Sequence, residues 1–448
     1  MKKISITNKN EVYVLVDCDE SIAYEIRNYF TFKVPGYQFS PQYKARLWNG
    51  DIRLFNVNNR QIYRGLVPYI IKFCKDRNYE YEYVNDEFDT EFSVKEANAF
   101  IDSLNVNLER RDYQVDAFVK AIRNKRMMLL SPTASGKSFI IYLILRYLFD
   151  KQYIKNALIV VPTTSLVSQL QSDFKSYGWN VDNLVHTIMA GREKQTNMPA
   201  VISTWQSIYE QPAAYFKPFD CIIGDEAHLF KAKSLCSIME KAVNAKYRIG
   251  TTGTLDGTKT HKLVLEGLFG PVKKVTTTKE LMDQKYVADF EIKCLVLKHN
   301  KSVCQAAKKF SYADEIEYLV LNESRNKFIS NLALSLKGNT LVLYQYVEKH
   351  GAILHEMIQK LNTDKKRKIF FVHGGTETED RENIRHIVDS HPLKTKITLY
   401  FDKDKIECDG EDDVVLTDQT TKKAKNISEN DDIDIRWILN RTKSIQQG

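Results

Sequence analysis

The spacing of apolar and polar residues changes character along this chain of 448 residues. Near the N-terminus, the alternating run EVYVLVDC (11–18) predicts a β-strand, and the helical spacing of SIAYEIRNYF (21–30) predicts an α-helix. A second strand is predicted at DIRLFN and a second helix at LVPYIIKFCKDR. The acidic stretch VNDEFDTEF that follows marks a domain boundary. We therefore predict a small mixed α+β domain at residues 1–95.

Beyond residue 107, short apolar runs alternate with amphipathic helices. The runs, each ending in a polar or glycine-bearing loop, are MMLLS, ALIVVP, AVIST, CIIGDE and YRIGTTG. This alternation is typical of a parallel α/β sheet whose site lies at the carboxyl ends of its strands. A second round begins near Asp289 with FEIKCLVL, a helix around NKFISNLALSL, and the runs NTLVLYQYV and KIFFVHG. We predict parallel-sheet lobes at residues 96–283 and 284–392, followed by a short β-rich tail at 393–448.

The composition is that of an ordinary globular protein, with 43% hydrophobic and 27% charged residues. No apolar run reaches about 18 residues, so no membrane span is expected, and the N-terminal sequence is too polar for a signal peptide. The seven cysteines are scattered and never spaced as CxxC, which favours reduced thiols over a disulfide scaffold or a zinc site. We expect a cytoplasmic protein, in the host cytoplasm if a phage encodes it.

Charge is distributed unevenly along the chain. Between Arg27 and Lys72 there are eight Lys and Arg residues against one acid, Asp51, a local net charge of +7. Between Tyr400 and Ile435 there are twelve acids against five lysines. The first segment is suited to a polyanion, and the second is not.

Basic and aromatic residues are interleaved in the first of these segments, a pattern that suits phosphate neutralisation combined with base stacking. The candidate nucleic-acid contacts are Lys44, Arg46, Trp48 and Arg53. Alternatively, aromatic residues such as Phe39 and Trp48 belong to the core of the domain. We predict an accessory DNA-binding domain.

A glycine–lysine–serine turn lies between two apolar runs in LLSPTASGKSFI (129–140). Backbone amides at such a strand-to-helix turn can hold phosphates, with Lys137 neutralising the outer phosphates and Ser138 holding Mg²⁺. The usual phosphate-loop pattern has glycine where this chain has Ser131. The alternative is a plain helix start, with Ser135 as the cap and Gly136 as a tight turn.

Two carboxylates, Asp225 and Glu226, follow a later apolar strand in FDCIIGDEAHLF. Asp225 is placed to hold Mg²⁺, and Glu226 to polarise the water that attacks the γ-phosphate. Such pairs are also common on solvated strand ends. Together with Lys137 and Ser138 in one α/β pattern, they predict hydrolysis of a nucleoside triphosphate.

Residues 225–228 spell DEAH, and here the chain resembles the superfamily 2 helicases and translocases, which have two RecA-like lobes. SPTASGKS resembles the first motif of that superfamily, in which a small residue with proline and threonine replaces the leading glycine. The resemblance implies ATP and Mg²⁺ as cofactors. The ATP contacts that it implies are Arg111 and Gln114 near the adenine, and Thr133, Ser135, Gly136, Lys137 and Ser138 near the phosphates. The catalytic residues that it implies are Lys137, Asp225, Glu226 and His228.

Further motifs of the superfamily follow in order. The resemblance implies contacts with the nucleic-acid backbone at VPTTSLVSQL and ISTWQSI. The residues that it implies are Thr163, Thr164, Ser203 and Thr204. GTTGTL implies coupling of hydrolysis to strand movement through Thr252 and Thr254, with His228 bridging to the nucleotide site. In the second, partial lobe, NTLVLYQYVEKHGAIL and FFVHGGTETEDRENI imply DNA contacts by Tyr344, His373 and Gly374. Taken singly, threonines after strands are more often caps, and a lone histidine is more often structural.

Over about residues 10–390 the chain is similar to the UvsW family of bacteriophage recombination helicases. GYQFSPQYKARLWNGDIRLFN, STWQS and GLFGPVKKVTTTKEL carry the similarity, among other segments. The resemblance implies a helicase that remodels branched DNA, including forks, junctions and D-loops, as well as RNA–DNA hybrids.

The resemblance ends after Ile387. The family pattern continues with a strand, a TG turn and a QxxGRxxR helix, whose arginines stabilise charge on the transferring phosphate. This sequence has no QxxGRxxR motif, and the acidic tail resembles the Hint-type fold of inteins instead. The alternatives are a truncated or frame-altered gene and a divergent lobe ending.

We expect the chain to bind ATP and DNA, with weak turnover unless a separate chain completes the second lobe. Two other functions stay open. One is an ATP- and DNA-binding fragment of a split or intein-interrupted helicase, and the other is the motor subunit of a restriction-type system.

Overall fold

The chain folds into two compact units, Met1–Asp289 and Phe290–Gly448. The computed structural model describes residues 3–34, 36–84, 91–189, 191, 193–230, 232–255, 259–288 and 293–390, and three short strands at 396–399, 413–415 and 421–423.

The first unit contains both strands and helices. Its described strands are β1 (Ile4–Asn8), β2 (Tyr13–Asp17), β3 (Thr31–Lys33), β4 (Asp51–Arg53), β5 (Gln61–Tyr63), β6 (Tyr81–Tyr83), β7 (Arg126–Leu130), β8 (Ala157–Val161), β9 (Val185–Ile188), β10 (Ala200–Thr204), β11 (Cys221–Asp225), β12 (Tyr247–Thr252) and β13 (Val272–Lys274). Its described helices are α1 (Glu20–Tyr29), α2 (Pro41–Lys44), α3 (Val67–Asp76), α4 (Val94–Ser103), α5 (Asp112–Asn124), α6 (Lys137–Asp150), α7 (Thr164–Ser176), α8 (Val181–Leu184), α9 (Trp205–Ile208), α10 (Ala213–Phe216), α11 (Lys233–Lys241), α12 (Lys259–Phe269) and α13 (Thr278–Asp283). Among the described residues of the chain, no helix combines the length and the apolar character needed to cross a membrane.

A small four-stranded sheet, in the order β5-β2-β1-β6, forms the N-terminal part of the unit. Helix α1 buries Ile22, Ala23 and Ile26, which its helical period places on one face, and these residues join the apolar side chains of the sheet in one core. Strands β3 and β4 form a separate antiparallel pair beside this sheet. The predicted small α+β domain is therefore present.

The larger part of the unit is a seven-stranded sheet in the order β13-β7-β12-β11-β8-β10-β9, and every strand pair in it is parallel. All residues of β8 and β11 are buried, as expected for strands that are covered on both faces. Helix α6 is apolar nearly all round and packs in the core of this sheet. The predicted α/β fold class is confirmed, and the carboxyl ends of β7, β8, β10, β11 and β12 meet at one edge.

The small domain is fastened to the seven-stranded sheet by polar contacts with little access to solvent. The Glu11 carboxylate lies 2.9 Å from Arg64 and 2.6 Å from Arg126, and both guanidinium groups are more than 90% buried. The hydroxyl of Tyr63 donates to Glu240 at 2.6 Å. Because ion pairs of this kind are costly to break once they are buried, the two parts form one folding unit.

The second unit has a helical layer beside a short parallel pair of strands. Its described elements are α14 (Lys301–Ala307), α15 (Tyr312–Leu321), α16 (Glu323–Ser335), β14 (Asn339–Val342), a π-helical turn (Val347–Ala352), α17 (Ile353–Leu361), α18 (Thr378–Ser390), β15 (Lys396–Leu399), β16 (Asp413–Val415) and β17 (Thr421–Lys423). Helices α16 and α17 pack together through buried residues such as Ile329 and Leu354. Strand β15, which lies in the segment predicted as tail, pairs with β14, whereas β16 and β17 form a hairpin.

Two strands predicted for the second unit are wrong. The described parts of FEIKCLVL (293–297) and all of KIFFVHG (368–374) form no strand. A strand needs a hydrogen-bonded neighbour, and apolar alternation in a sequence does not show whether one is available. Residues 368–374 are held by side chains instead, since Phe371 stacks on Tyr344 with ring centroids 5.5 Å apart.

Replacing Gly65 by alanine tests how tightly the small domain is fastened. A Cβ at this position would lie 2.0 Å from the Glu266 carbonyl oxygen and 2.7 Å from that of Gly267, both of which are backbone atoms. We expect Gly65→Ala to lower the free energy of unfolding by about 1–3 kcal/mol, measured by denaturant titration. Gly374→Ala is the control, because a Cβ there meets nothing within 4 Å. Equal stability of the two variants would contradict the close packing.

Candidate nucleotide-binding site and nucleic-acid contacts

The loop between β7 and α6 is held in shape by its own hydroxyl groups. Ser131 is buried, and its Oγ lies 2.6 Å from Oγ of Ser135, which also donates to the Pro132 carbonyl at 2.6 Å. A serine therefore closes this loop where the usual phosphate loop has glycine. Ser135, a predicted ATP contact, is fully buried and uses its hydroxyl inside the loop.

The loop ends in backbone conformations that favour glycine. Ala134 has φ 62° and Gly136 has φ 80°, both in the left-handed region. A Cβ at Gly136 would also lie 2.3 Å from Nε2 of Gln114. The loop thus approaches helix α5 closely, and α6 begins directly after it at Lys137.

Four of the predicted residues form one chain of contacts across the strand ends. The ammonium group of Lys137 lies 3.0 Å from Oε1 of Glu226, and Oε2 of Glu226 lies 3.4 Å from Nδ1 of His228. Nδ1 of His228 is 2.8 Å from the hydroxyl of Thr252, which donates to the Thr254 carbonyl at 3.0 Å. The structure therefore joins the loop after β7 to the end of β12. Glu226 itself has left-handed backbone angles (φ 49°, ψ 49°), an uncommon conformation for a residue with a side chain.

Asp225 ends β11 and is buried beside Thr251 of β12. The two residues are partners in the parallel register, and the Thr251 hydroxyl donates to Oδ1 of Asp225 at 2.6 Å. Burial raises the pKa of the Asp225 carboxyl, while the bond from Thr251 and the charge of Lys137 act to lower it. Thr251 was not identified from the sequence, because only the pairing of β11 with β12 places it beside Asp225.

Ser138, the predicted Mg²⁺ ligand, lies at the first turn of α6. Its hydroxyl is 3.2 Å from the hydroxyl of Tyr177, just beyond helix α7. A hydrogen bond with Ser138 also acts to lower the pKa of Asp173, which burial raises overall. Tyr177 and Asp173 were missed as well, since they have no motif of their own.

The predicted adenine contacts, Arg111 and Gln114, lie beside the loop. Gln114 is buried, accepts from the Arg111 backbone N–H at 3.1 Å and donates to the Ser135 carbonyl at 2.9 Å. The guanidinium group of Arg111 donates to Tyr113 and lies 4.1 Å from the ring centre of Tyr286. Tyr286 follows α13 and was not identified from the sequence. The ring of Tyr286 thus makes a cation–π contact that supports the guanidinium group of Arg111.

The predicted backbone contacts of the first lobe lie at the ends of adjacent strands. Thr163 and Thr164 follow β8 and are exposed, and the Thr163 side chain accepts from the Leu166 N–H as a helix cap. Ser203 and Thr204 end β10 and are buried. Their hydroxyl groups bond to the Thr204 carbonyl and to Ser207. A cap and an internal network thus occupy the hydroxyl groups of Thr163, Ser203 and Thr204, whereas Thr164 is exposed.

The four predicted contacts of the N-terminal domain lie on or next to the loop between β3 and β4. Lys44 and Arg46 are exposed, and Arg53 lies 3.8 Å from Asp51. Trp48 is half-buried and donates from Nε1 to the Asp51 carbonyl at 2.9 Å. The alternative that Phe39 belongs to the core is wrong, because 75% of its surface is exposed.

In the second unit, Tyr344, His373 and Gly374 come together. The Tyr344 hydroxyl donates to the Val372 carbonyl at 2.7 Å. Nδ1 of His373 accepts from the Gly375 N–H at 3.1 Å, and Arg381 donates to the Gly374 carbonyl at 2.7 Å. The structure therefore gathers these three predicted residues on one side of the unit.

Comparison with known proteins identifies the family. Residues 3–84 match the profile described as DNA helicase UvsW, N-terminal, and residues 107–257 match that of the type III restriction enzyme, res subunit. The chain is 30% identical over 429 residues to the ATP-dependent DNA helicase uvsW of Enterobacteria phage T4, covering 86% of this chain and 84% of that protein. The chain belongs to the UvsW family of ATP-dependent DNA helicases. The predicted superfamily 2 helicase is confirmed, and with it the use of ATP.

Solved structures agree with this assignment to the UvsW family. Two structures of T4 UvsW match with a TM-score of 0.57. The first is 28% identical and covers 89% of this chain and 80% of its own chain. The second is 32% identical and covers 61% of this chain and 100% of its own chain.

A further relative by sequence is the DNA 3'-5' translocase XPB2 from Sulfurisphaera tokodaii. It is 27% identical over 52% of this chain and 47% of its own length.

Replacing Tyr286 tests its support of Arg111. If Arg111 contacts the adenine, as the sequence predicts, Tyr286→Ala should weaken ATP binding about fivefold, because a cation–π contact contributes about 1 kcal/mol. Tyr286→Phe keeps the ring and should bind as the parent does. Titration with a fluorescent ATP analogue measures both, with Tyr153→Ala, at another exposed tyrosine, as the control. Unchanged ATP affinity in Tyr286→Ala would show that the ring of Tyr286 does not support Arg111.

Proposed function

We propose that this chain couples ATP hydrolysis to the remodelling of branched DNA, such as replication forks and recombination intermediates, with RNA–DNA hybrids as further substrates. The observation that carries the proposal is the line of contacts from Lys137 through Glu226 and His228 to Thr252. This line links a phosphate-type loop to the strand end predicted to couple hydrolysis with movement. The T4 relative is itself an ATP-dependent DNA helicase, which supports the same function.

The proposed catalytic roles follow from the charges in this line of contacts. Without a phosphate, Lys137 neutralises Glu226 at 3.0 Å. A bound γ-phosphate would draw Lys137 to itself, and Glu226 would then accept a proton from the attacking water. His228 is in contact with both Glu226 and Thr252, and would therefore transmit the change in charge around Glu226 to β12.

The residues at this site suit Mg²⁺ as the partner of ATP. Asp225 and Ser138 offer a carboxylate and a hydroxyl oxygen, the hard ligands that Mg²⁺ prefers. Among the described residues, no group of three or more His, Cys, Asp or Glu side chains could hold a metal. We propose an ion bound by these two residues together with water and phosphate oxygens, where Mg²⁺ would neutralise phosphate charge.

The proposed DNA contacts fall into three groups. In the first lobe, Thr163 and Thr164 offer exposed hydroxyls, whereas Ser203 and Thr204 would act through their backbone amides because their side chains are buried. In the second unit, we propose the cluster of Tyr344, His373 and Gly374. The third group is the basic N-terminal set of Lys44, Arg46, Trp48 and Arg53.

A second candidate function is an ATP- and DNA-binding fragment without turnover of its own. The observation that favours it is the absence of a QxxGRxxR motif from the sequence, since arginines of that kind raise phosphoryl-transfer rates by several orders of magnitude. Under this proposal, a separate chain supplies the missing part of the second lobe.

An ATPase assay with and without forked DNA tests the first function against the second. We expect turnover that rises with forked DNA and falls to background in Lys137→Ala, because Lys137 holds the phosphate. Glu226→Gln should keep ATP binding but lose turnover, because the amide cannot accept the proton. Bound ATP without turnover in the parent chain would reject the motor in favour of the fragment. Restored turnover on addition of a chain with QxxGRxxR would support the split lobe.

The salt dependence of DNA binding tests the N-terminal basic set. Replacing Lys44 and Arg46 with alanine should reduce the slope of log K against log salt by about 2, because each cation releases about one counterion. Fluorescence anisotropy with labelled duplex at several salt concentrations measures this slope. The control is Lys3→Ala, in the same domain, where the lysine already pairs with Glu82 at 2.8 Å. An equal change in the control would contradict a specific role for Lys44 and Arg46.

A further inference from the structure

The connection between β3 and β4, described at residues 34 and 36–50 and containing helix α2, carries an unusual pair of side chains. Among the described residues, Leu47 (82% exposed) and Phe39 (75% exposed) are the most exposed large apolar side chains. Both lie on this one loop, 8 residues apart along the chain. Large apolar groups left in water at one place mark an interaction site more often than chance exposure does.

The loop is built to hold a fixed shape. Strands β3 and β4 close its base, and the Val34 N–H donates to the Gly50 carbonyl at 2.9 Å. Inside it, the rings of Tyr37 and Tyr43 pack edge to face at 4.8 Å. Gly50 has φ 85°, and a Cβ there would lie 2.4 Å from the Tyr37 ring. The apolar pair is therefore presented by an ordered support.

Cations flank both apolar side chains along the sequence, and acids do not. Residues 34–50 contain no Asp or Glu, and the nearest acid, Asp51, is engaged with Lys33 at 3.0 Å. Lys44 and Arg46 are exposed and form no ion pair with any described carboxylate. They line a shallow groove together with Leu47 and Trp48. A segment with exposed apolar side chains, and with cations that pair with no described carboxylate, is complementary to a ligand with flat apolar faces and an anionic backbone.

DNA offers those apolar faces only where its stack is interrupted. Inside a duplex each base face is covered by its neighbours, whereas at a branch point the last base pair and the first unpaired bases are open. Proteins that part base steps use phenylalanine and leucine side chains as wedges, with cations on the adjoining phosphates. The tip of the loop has this composition.

We propose that Phe39 and Leu47 form a wedge that stacks on the last base pair at the junction of branched DNA, while Lys44 and Arg46 bind the adjoining phosphates. The wedge rests on the proposed function, because it requires a branched substrate. The small domain that carries it is fastened to the nucleotide-binding sheet through Glu11 and Tyr63, so the wedge moves with the first lobe.

Forked DNA with 2-aminopurine at the first base pair of the duplex tests the wedge without any need for ATP turnover. Wild-type protein should raise the fluorescence of this base, because the wedge unstacks it, and should leave a probe well inside the duplex unchanged. Phe39→Ser with Leu47→Ser should lose the signal at the first pair and weaken fork binding on the order of tenfold. Binding to linear duplex should stay at the wild-type level, because Lys44 and Arg46 are retained.

Matched controls separate the wedge from folding and from the proposed function. Val94→Ser with Tyr153→Ser changes two exposed apolar side chains elsewhere in the unit and should behave as the wild type. Phe39→Trp, which keeps a stacking ring, should retain the signal. Equal fork binding and fluorescence in wild type and the Phe39/Leu47 variant would overturn the wedge. A variant defect confined to binding of anionic lipid vesicles would overturn it too. If the wild type itself does not bind forks better than linear duplex, the proposed function fails first.

Discussion

The proposed catalytic side chains of the first lobe depend on one constraint, the parallel pairing of β12 between β7 and β11. This order places the loop after β7 and the carboxylates after β11 on either side of a single strand, so that Lys137 reaches Glu226 at 3.0 Å. The same strand supplies Thr251 to Asp225 and Thr252 to His228. Strand β12, whose sequence is YRIGTT, thus organises both sides of the site through two adjacent hydroxyl groups.

Local patterns in the sequence were sufficient to predict much of this arrangement. The buried strands of the first lobe could be predicted because they are short apolar runs with polar ends, and Lys137, Asp225 and Glu226 because they directly follow such runs. Thr251, Tyr177 and Tyr286 could not be predicted, since their partners are 26, 39 and 175 positions away along the chain and only tertiary packing brings them together. The two predicted strands that are wrong, at 293–297 and 368–374, show the same limit, because pairing is not a local property.

The joint between the N-terminal domain and the sheet combines polar contacts with an apolar one, because Leu263 of α12 lies in the core of the small domain. A single carboxylate, that of Glu11, serves two guanidinium groups, one from each side of the joint. Charges that are removed from water in this way favour one relative arrangement, because a slide of a few ångströms would leave them poorly matched. The joint therefore favours one orientation of the attached domain, which is useful if that domain must hold DNA at a set place.

The close approach of Gly136 to Gln114 restricts how sequences of this family can diverge. Any side chain at position 136 would meet the Gln114 amide and would also adopt an unfavourable backbone conformation. The amide is held in turn by the Ser135 carbonyl and the Arg111 N–H. A shorter side chain at position 114 would remove the collision but leave the left-handed backbone of position 136. The two sites therefore do not compensate for each other, because a substitution at position 136 would carry the cost of a left-handed backbone even beside a shorter residue at position 114.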